Sequence, residues 1–280
     1  MKKVGILYHP LNKSACGLTE ELKTFLPPKG IKAWVCSAWE EQKARGLLND
    51  TDLIISIGGD GTILRAAQVI LDTDVPITGI NLGNLGFMTE LSAADIKSRL
   101  VELLEGNGWL DKRALLEAQV PSEKANEAFR TYYALNDVVL ARGAIVRMIA
   151  IETTIDDEYF KTYRADGLIL ATATGSTGYT LAAHGPVLHP QATELVMTPI
   201  LTHLNRSHSL VLPESSTVKL TLKTTIPATL SIDGHINLTV SEGTIITVKR
   251  SSNTIKFLRA KPKTSFYATL EQKLKGKQTQ

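Results

Sequence analysis

The N-terminal part of the chain alternates between short apolar runs and segments with helical spacing, and this alternation limits the possible folds. Apolar runs such as "VGILYH" (4–9) and "DLIISIG" (52–58) predict buried strands, and "GLTEELKTFLPPKG" (17–30) is typical of a helix ended by prolines. Strands and helices that take turns along a chain form a parallel sheet covered on both faces. We therefore predict an α/β, Rossmann-like domain over residues 1–110.

The pattern changes after about Trp109 to short, often alternating segments that end at turn signals. Examples are "TYYALNDVVLAR" (131–142) and "ATLSIDGHINLTV" (228–240). This pattern predicts an all-β domain over residues 111–256, with a helical interruption near "GYTLAAHGPVL" (178–188).

The end of the chain carries a helical pattern. In "SFYATLEQKLKG" the apolar residues Phe266, Leu270 and Leu274 are four apart and form one stripe of a helix. We expect residues 257–280 to return to the first domain, and a frayed terminal helix is the alternative.

Charge and cysteine content exclude several classes of partner. The formal net charge of +3 is spread along 280 residues, and basic residues cluster only in the tail "KLKGKQTQ", so no nucleic-acid partner is predicted. Cys16 and Cys36 show no zinc-site spacing, which favours packed thiols in a reducing compartment. No apolar run is long enough for a signal peptide or a membrane span, so we expect a cytoplasmic protein without a membrane partner.

The segment "SIGGDGTILRAA" (56–67) places three glycines around one acid, between a predicted strand and a helix predicted over 62–71. Gly58, Gly59 and Gly61 permit close backbone approach, and phosphate would meet free amide groups there. The pattern is neither GxxxxGK[ST] nor GxGxxG. Since Asp60 would repel phosphate, it either caps the helix or handles a proton or a metal in phosphoryl transfer.

A second loop of similar character is "TATGSTGYTLAA" (172–183), which follows an apolar strand pattern. Its hydroxyl and amide groups suit a nucleotide base or phosphate, although such clusters are usually ordinary loops. The histidines, His184 and His189 among them, lack ligand spacing such as HExxH, so no residues are predicted to bind a metal.

Four segments together resemble the NAD kinase family, in order and at suitable spacing. They are "GGDGT" (58–62), "LNDVVL" (135–140), "YRADGLILATATGSTGYTLAAHGPVLHP" (163–190) and "SIDGH" (231–235). The resemblance covers nearly the whole chain and implies the two-domain NAD kinase-like fold, in which residues 111–256 form a β-sandwich that binds the dinucleotide. It also implies transfer of the γ-phosphoryl group of ATP, or of polyphosphate in some members, to the 2′-hydroxyl of the adenosine ribose of NAD, which gives NADP.

The resemblance also implies roles for individual residues. Asp60 is the implied proton acceptor for the hydroxyl. The implied phosphate-binding residues are Gly58, Gly59, Gly61, Thr62 and Arg65. The implied NAD-binding residues are Asn136, Asp137, Arg147, Arg164, Asp166, Thr177, Gly178, Tyr179, Thr180, Leu181 and Ala182. Arg147 acts from this or a neighbouring subunit, since family members are homodimers or homotetramers, and Mg²⁺ or another divalent cation enters mainly through the oxygens of ATP.

The chain departs from the usual family pattern at four positions. Ala173 replaces a proline, Gly178 an alanine, His184 a common glycine and His235 a common glutamine. Two other functions remain compatible with the sequence: a lipid kinase of the diacylglycerol type, which shares the acid turn, and a non-catalytic dinucleotide sensor.

Overall fold

The computed structural model describes residues 1–83, 86–93, 95–122, 128–143, 147–202, 208–263 and 265–274. Residues 275–280 of the basic tail lie outside this set. The chain divides into two compact units, which are described separately: residues 1–112 together with 255–280, and residues 113–254.

The first unit is an α/β unit built on a parallel sheet. Its strands are β1 (Lys3–Tyr8), β2 (Lys32–Ser37), β3 (Leu53–Ile57), β4 (Ile77–Asn81) and β5 (Leu91–Ser92). Its helices up to residue 104 are α1 (Lys13–Phe25), α2 (Glu41–Arg45), α3 (Asp60–Val69) and α4 (Ile96–Leu104), with a 3₁₀ turn at Pro27–Lys29. The strand order is β2-β1-β3-β4, and every one of these pairings is parallel. The predicted α/β fold with a parallel sheet is confirmed.

This strand order determines where a site can form in the first unit. The chain leaves β1 toward β2 on one side and leaves β3 toward β4 on the other, so the carboxyl ends of β1 and β3 flank a topological switch point. The N–H of His9, directly after β1, donates to the carbonyl of Ile57 at the end of β3 (3.0 Å). The glycine turn that follows β3 therefore begins at the crevice where open α/β sheets bind ligands.

The second unit is almost entirely β-structure. The strands that follow α4 are β6 (Trp109–Pro121), β7 (Phe129–Ala134), β8 (Asp137–Arg142), β9 (Ile149–Ile155), β10 (Glu158–Ala171), β11 (Leu195–Thr202), β12 (Leu210–Leu212), β13 (Thr217–Leu222), β14 (Ala228–Ile232), β15 (Ile236–Val240) and β16 (Ile245–Arg259). The first residues of β6 and the last residues of β16 belong to the first unit. The pairings of β8, β9, β10, β11, β13 and β14 with their neighbours are antiparallel, and the predicted all-β character of this region is confirmed. Alternating burial along strands such as β13 gives this unit its own apolar core.

Three short or terminal elements complete the chain. A 3₁₀ turn at Gly175–Thr177 and the helix α5 (Tyr179–Ala182) interrupt the β-structure, where the sequence predicted a helical break. The last helix is α6 (Ser265–Leu274), and it belongs to the first unit. Among the described helices, none has the length and apolar character needed to cross a membrane.

Candidate active site

The glycine turn between β3 and α3 combines one conformationally required glycine with two that face open space. Gly58 has φ = +157°, and a Cβ there would lie 2.3 Å from Oγ1 of Thr62. At Gly59 and Gly61 a Cβ would meet no described atom within 4 Å. The turn is therefore open at Gly59 and Gly61, next to the first N–H groups of α3, which is where an anion binds at a helix end.

Thr62 adds a hydroxyl group beneath this turn. Its side chain is 2% exposed, and its Oγ1 finds no hydrogen-bond partner within the described part of the chain. Buried hydroxyl groups are normally paired, and exceptions concentrate at functional positions. Thr62 is therefore placed next to the phosphate-binding turn that the resemblance implies.

The Asp60 carboxylate is held by the backbone of a separate segment. Oδ2 accepts the N–H of Phe87 (2.8 Å), and Oδ1 accepts the N–H of Met88 (3.1 Å). Gly86 makes this approach possible, because a Cβ at that position would lie 2.1 Å from Oδ1 of Asp60. The carboxylate is thus fixed by backbone donors at the mouth of the turn.

The hypothesis that Asp60 caps the helix is wrong. Helix α3 starts at Asp60, two residues earlier than predicted, and its N-cap is Gly59, which makes no side-chain capping bond. As the first helical residue, Asp60 directs its carboxylate to Phe87 and Met88 instead. Its negative charge still interacts favourably with the helix dipole.

Lys273 brings a positive charge to the same carboxylate. It lies in the last turn of α6, with Nζ 3.7 Å from the centroid of the Phe87 ring. Burial lowers the pKa of Lys273, and the charge of Asp60 opposes that shift. The sequence did not predict a role for Lys273, because the apolar stripe predicts only the helix and does not identify a partner for the residues on its polar face.

Arg65 lies five residues after Asp60 on α3 and is stacked on an aromatic ring. Its Cζ is 4.5 Å from the ring centroid of Trp39, and the ring of His9 packs edge-on against the same indole at 4.5 Å. Stacking uses the face of a guanidinium and leaves its in-plane N–H groups for other partners. This geometry is compatible with the phosphate-binding role implied for Arg65.

The second unit positions the Asn136–Asp137 pair through a buried carboxylate. Asp233 is 6% exposed, adopts φ = +51°, and accepts the backbone N–H groups of Leu135 (2.8 Å), Asn136 (2.7 Å) and Asp137 (3.1 Å). Oδ1 of Asn136 is buried and has no partner among the described residues. The pair therefore sits on a rigid backbone and retains unused hydrogen-bonding capacity.

Burial also changes the acidity of Asp137. Its carboxyl group is removed from solvent and lies near the negative charge of Asp233, and together these effects raise its pKa to about 7, burial being the larger cause. A carboxyl group that titrates near neutral pH inside a polar cluster marks a candidate functional site.

The loop after β10 closes over the same pair. A Cβ at Gly175 would lie 2.1 Å from the carbonyl oxygen of Asn136, so only glycine fits there. At Gly178 a Cβ would meet its nearest atom at 3.3 Å and Nδ2 of Asn136 at 3.5 Å. The space left by the missing methyl group therefore lies beside the Asn136 amide. The remaining predicted contacts, Thr177 and Tyr179–Ala182, occupy the 3₁₀ turn and α5.

His184 explains one departure from the family pattern. It adopts φ = +60°, a left-handed conformation that glycine enters freely and that histidine enters more often than most residues. The position thus keeps the backbone shape for which the common glycine is suited.

The structure does not bring all predicted NAD contacts together within one chain. Asp137 pairs with Ala171 at one end of β10, whereas Asp166 lies five residues earlier, about 16 Å along the strand, and forms an ion pair with Arg142 (3.0 Å). Arg164 is exposed on the same distant part of β10, and Arg147 is exposed just before β9.

Asp60 and the Asn136–Asp137 pair belong to different units. In the described ranges no group of three or more His, Cys, Asp or Glu side chains is arranged to hold a metal ion.

Comparisons with known proteins assign the chain to a family. Residues 28–107 match the ATP-NAD kinase N-terminal domain and residues 135–260 match the ATP-NAD kinase C-terminal domain. A NAD kinase from Dehalococcoides mccartyi (strain CBDB1) is 50% identical over 276 residues, which cover 98% of this chain and 96% of the relative.

Two solved structures have a similar fold. The yeast NADH kinase complexed with NADH superposes with a TM-score of 0.87 at 25% identity, covering all of this chain and 89% of the other. A NAD kinase from Archaeoglobus fulgidus in complex with ATP gives 0.78 at 23% identity and 98% coverage of both chains, a likeness of fold alone. With both domain models and a half-identical relative matched over nearly its full length, the chain belongs to the NAD kinase family.

Proposed function

We propose that this protein transfers the γ-phosphoryl group of ATP to the 2′-hydroxyl of the adenosine ribose of NAD and so produces NADP. The observation that carries the proposal is the Asp60 carboxylate, which backbone amides of Phe87 and Met88 hold at the glycine turn. The NADH bound to the yeast relative and the ATP bound to the archaeal one support a site for a dinucleotide and a nucleotide triphosphate.

The first unit supplies the donor half of the proposed reaction. The phosphates of ATP bind the N-terminus of α3 and the open turn at Gly58, Gly59 and Gly61, with Thr62 and Arg65 beside them. Mg²⁺ or another divalent cation accompanies ATP through its phosphate oxygens, and the single carboxylate at the turn fits a cation held mainly by its nucleotide.

The second unit supplies contacts to the acceptor. The buried amide oxygen of Asn136 has no hydrogen-bond partner among the described residues, and the next residue in the chain is the buried Asp137. Together with Thr177, Gly178 and the helix Tyr179–Ala182, they offer hydrogen bonds to the hydroxyl groups and base of NAD. In the reaction, Asp60 orients the 2′-hydroxyl and takes its proton as the bond to phosphorus forms.

The residues that lie far from this cluster support an oligomeric site. Arg147, Arg164 and Asp166 surround a surface on which Met148 (40%) and Leu201 (73%) are exposed. Apolar side chains next to charged ones are typical of an interface, and a second copy would carry these three residues to its neighbour's acceptor half. We include a homodimer or homotetramer in the proposal, located in the cytoplasm, where Cys16 and Cys36 remain free thiols.

A direct assay tests the proposed reaction. Purified protein is incubated with NAD, ATP and Mg²⁺, and NADP is measured with an NADP-specific dehydrogenase. Parallel reactions replace NAD with NADH or with diacylglycerol, and ATP with polyphosphate. We expect NADP from NAD. Phosphorylation of the lipid alone would establish the lipid kinase instead, and tight NAD binding without turnover would establish the sensor.

A further inference from the structure

Arg259 is a buried cation at the end of β16, and several groups converge on its guanidinium. Nη1 donates to the carbonyl of Met88 (2.7 Å) and to Oε2 of Glu90 (3.3 Å), and Nε donates to Oδ2 of Asp111 (3.3 Å). Its Cζ lies 4.6 Å from the ring centroid of Phe257. Arg259, Glu90 and Asp111 are each at most 5% exposed, so this is a charge cluster of the protein interior.

The cluster anchors the segment 86–90, which has no regular secondary structure of its own. Oε1 of Glu90 accepts the backbone N–H groups of Ala260 (2.8 Å) and Lys261 (2.5 Å). The N–H of Glu90 donates to the carbonyl of Gly79 on β4 (2.8 Å). Because no helix or strand ladder holds 86–90, its position depends on these bonds.

Met88 connects the cluster to the reacting carboxylate. Its carbonyl accepts from Arg259 (2.7 Å), and its own N–H donates to Oδ1 of Asp60 (3.1 Å). Peptide units are rigid, so only the two backbone dihedrals of one residue separate these hydrogen bonds. A displacement of the guanidinium is therefore passed on to the carboxylate with little room for adjustment.

Stability alone does not account for such a cluster. The cost of removing buried charges from water offsets much of their attraction, and apolar residues of similar volume often serve as well or better. A planar guanidinium does provide donors in fixed directions, which a compact ammonium cannot reproduce. We propose that Arg259, oriented by Glu90 and Asp111, is a positioning residue that sets the Met88 amide against Asp60; the proposal rests on the proton-accepting role proposed for Asp60.

The test is a pair of Arg259→Lys variants, one in the natural sequence and one combined with Asp60→Asn. Lysine keeps the charge and loses the planar fork. In the natural background we expect kcat for NADP formation to fall roughly tenfold or more, with the KM values for ATP and NAD within about twofold of the natural protein. In the Asp60→Asn background we expect no further fall, because there is no carboxylate left to position.

Leu18→Ala is the control for a loss of stability alone. Leu18 is a buried core residue of α1, and its apolar side chain takes no part in the hydrogen bonds that hold segment 86–90. We expect it to lower the melting temperature and leave kcat unchanged. If Arg259→Lys lowers kcat by the same factor in both backgrounds, the positioning proposal is overturned while the role of Asp60 stands.

A readout independent of activity separates this proposal from the proposed function. Hydrogen exchange of the Phe87 and Met88 amides, followed by NMR, should speed up in Arg259→Lys. If the natural protein makes no NADP, the proposed function fails. If exchange of the Phe87 and Met88 amides is unchanged in Arg259→Lys, the positioning proposal is overturned, whether or not the protein makes NADP. Should Arg259→Lys not fold, Glu90→Gln takes its place, because it retains Arg259 and the shape of the cluster, and the same dependence on Asp60 is expected.

Discussion

At the scale of single residues, the proposed role of Asp60 as the proton acceptor is tested by Asp60→Asn. An asparagine can accept one of the two N–H groups of Phe87 and Met88 but turns its own NH₂ toward the other, so a modest loss of stability is expected. Without a carboxylate to take the proton, turnover should fall by roughly 10²-fold or more. ATP affinity, measured by calorimetry, should stay unchanged or improve, because a negative charge leaves the phosphate site.

Asp52→Asn is the matched control for that variant. Asp52 also accepts two backbone N–H groups, from Lys2 (2.5 Å) and Lys3 (2.9 Å), and lies just before β3, at the end opposite the glycine turn. Both N–H groups reach the same oxygen, Oδ2, so the amide oxygen of an asparagine can accept both, and this variant should lose less stability than Asp60→Asn and keep its turnover. Near-normal turnover in Asp60→Asn would contradict the mechanism even for a member of this family.

Asn136 belongs to the acceptor half, and its replacement should affect one substrate selectively. Asn136→Ala removes the unpartnered buried amide oxygen and the amide group beside Gly178. We expect KM for NAD to rise more than KM for ATP, since lost ground-state contacts appear mainly in KM. Steady-state kinetics with each substrate varied in turn give the comparison, and an equal effect on both would assign Asn136 a structural role.

The raised pKa of Asp137 predicts that the stability of the folded protein depends on pH. Its pKa is about 7 in the folded protein and near 3.8 when exposed, so between these values the unfolded chain releases a proton that the folded protein retains. Stability contributed by the neutral carboxyl group is complete below pH 4 and is lost as the pH rises toward 7. Between these two pH values the free energy of unfolding falls by at most roughly 4 kcal/mol.

Asp137→Asn should therefore raise the melting temperature at pH 8 and change it little at pH 4, as measured by calorimetry or circular dichroism. Such a gain would indicate that the buried acid is kept for binding at the expense of stability. If Asp137→Asn is no more stable than the natural protein at pH 8, burial of the Asp137 carboxylate does not destabilise the folded protein.

At the scale of elements, the sequence predicted those strands and helices whose residues follow a local apolar pattern. The continuous apolar run "LIISI" predicted β3, which is buried at every residue. The spacing of Phe266, Leu270 and Leu274 predicted α6, although Leu274 is 61% exposed in the structure. The start of α3 was misplaced by two residues, because a glycine N-cap carries no side-chain signal.

The contacts around Asp60 could not be predicted in the same way. Phe87 and Met88 hold the carboxylate with backbone N–H groups, which every residue except proline possesses. Arg259 reaches the same segment from 171 positions away in sequence, so only the folded sheet brings them together. Residue types suggested the acid and the glycines, whereas tertiary structure determined what orients them.

The segment 86–90 is the element on which this orientation depends, and Gly86→Ala tests it. The added methyl group would lie 2.1 Å from Oδ1 of Asp60 and 2.7 Å from Oγ1 of Thr89, so the segment or the carboxylate must move. We expect kcat to fall by roughly 10-fold to 10²-fold.

Gly17→Ala provides the comparison, because a methyl group there meets no described atom and Gly17 lies inside α1. That variant should be more stable by about 0.5–1 kcal/mol, with unchanged activity. Normal turnover in Gly86→Ala would show that the position of segment 86–90 does not limit catalysis.

At the scale of the whole molecule, Asp166 lies about 16 Å along β10 from the residue that pairs with Asp137, with Arg164 on the same part of the strand and Arg147 just before β9. Leu201, beside them, is 73% exposed and has φ = +41°, a conformation unfavourable for leucine. An exposed apolar residue held in a strained conformation is costly in an isolated chain and useful at an interface. We therefore predict a homodimer or homotetramer in which this surface is covered.

Leu201→Asn tests the assembly, because asparagine tolerates this backbone conformation and removes the apolar contact. Light scattering should show a natural protein larger than a monomer and a variant shifted toward the monomer as concentration falls. The same variant should raise KM for NAD as it dissociates, because Arg164 and Asp166 then no longer reach a neighbouring acceptor half. Leu110→Asn, on β6 of the first unit and 51% exposed, should change neither property. A natural protein that is monomeric at assay concentrations and fully active would refute the shared site and leave Arg147, Arg164 and Asp166 without a role in binding NAD.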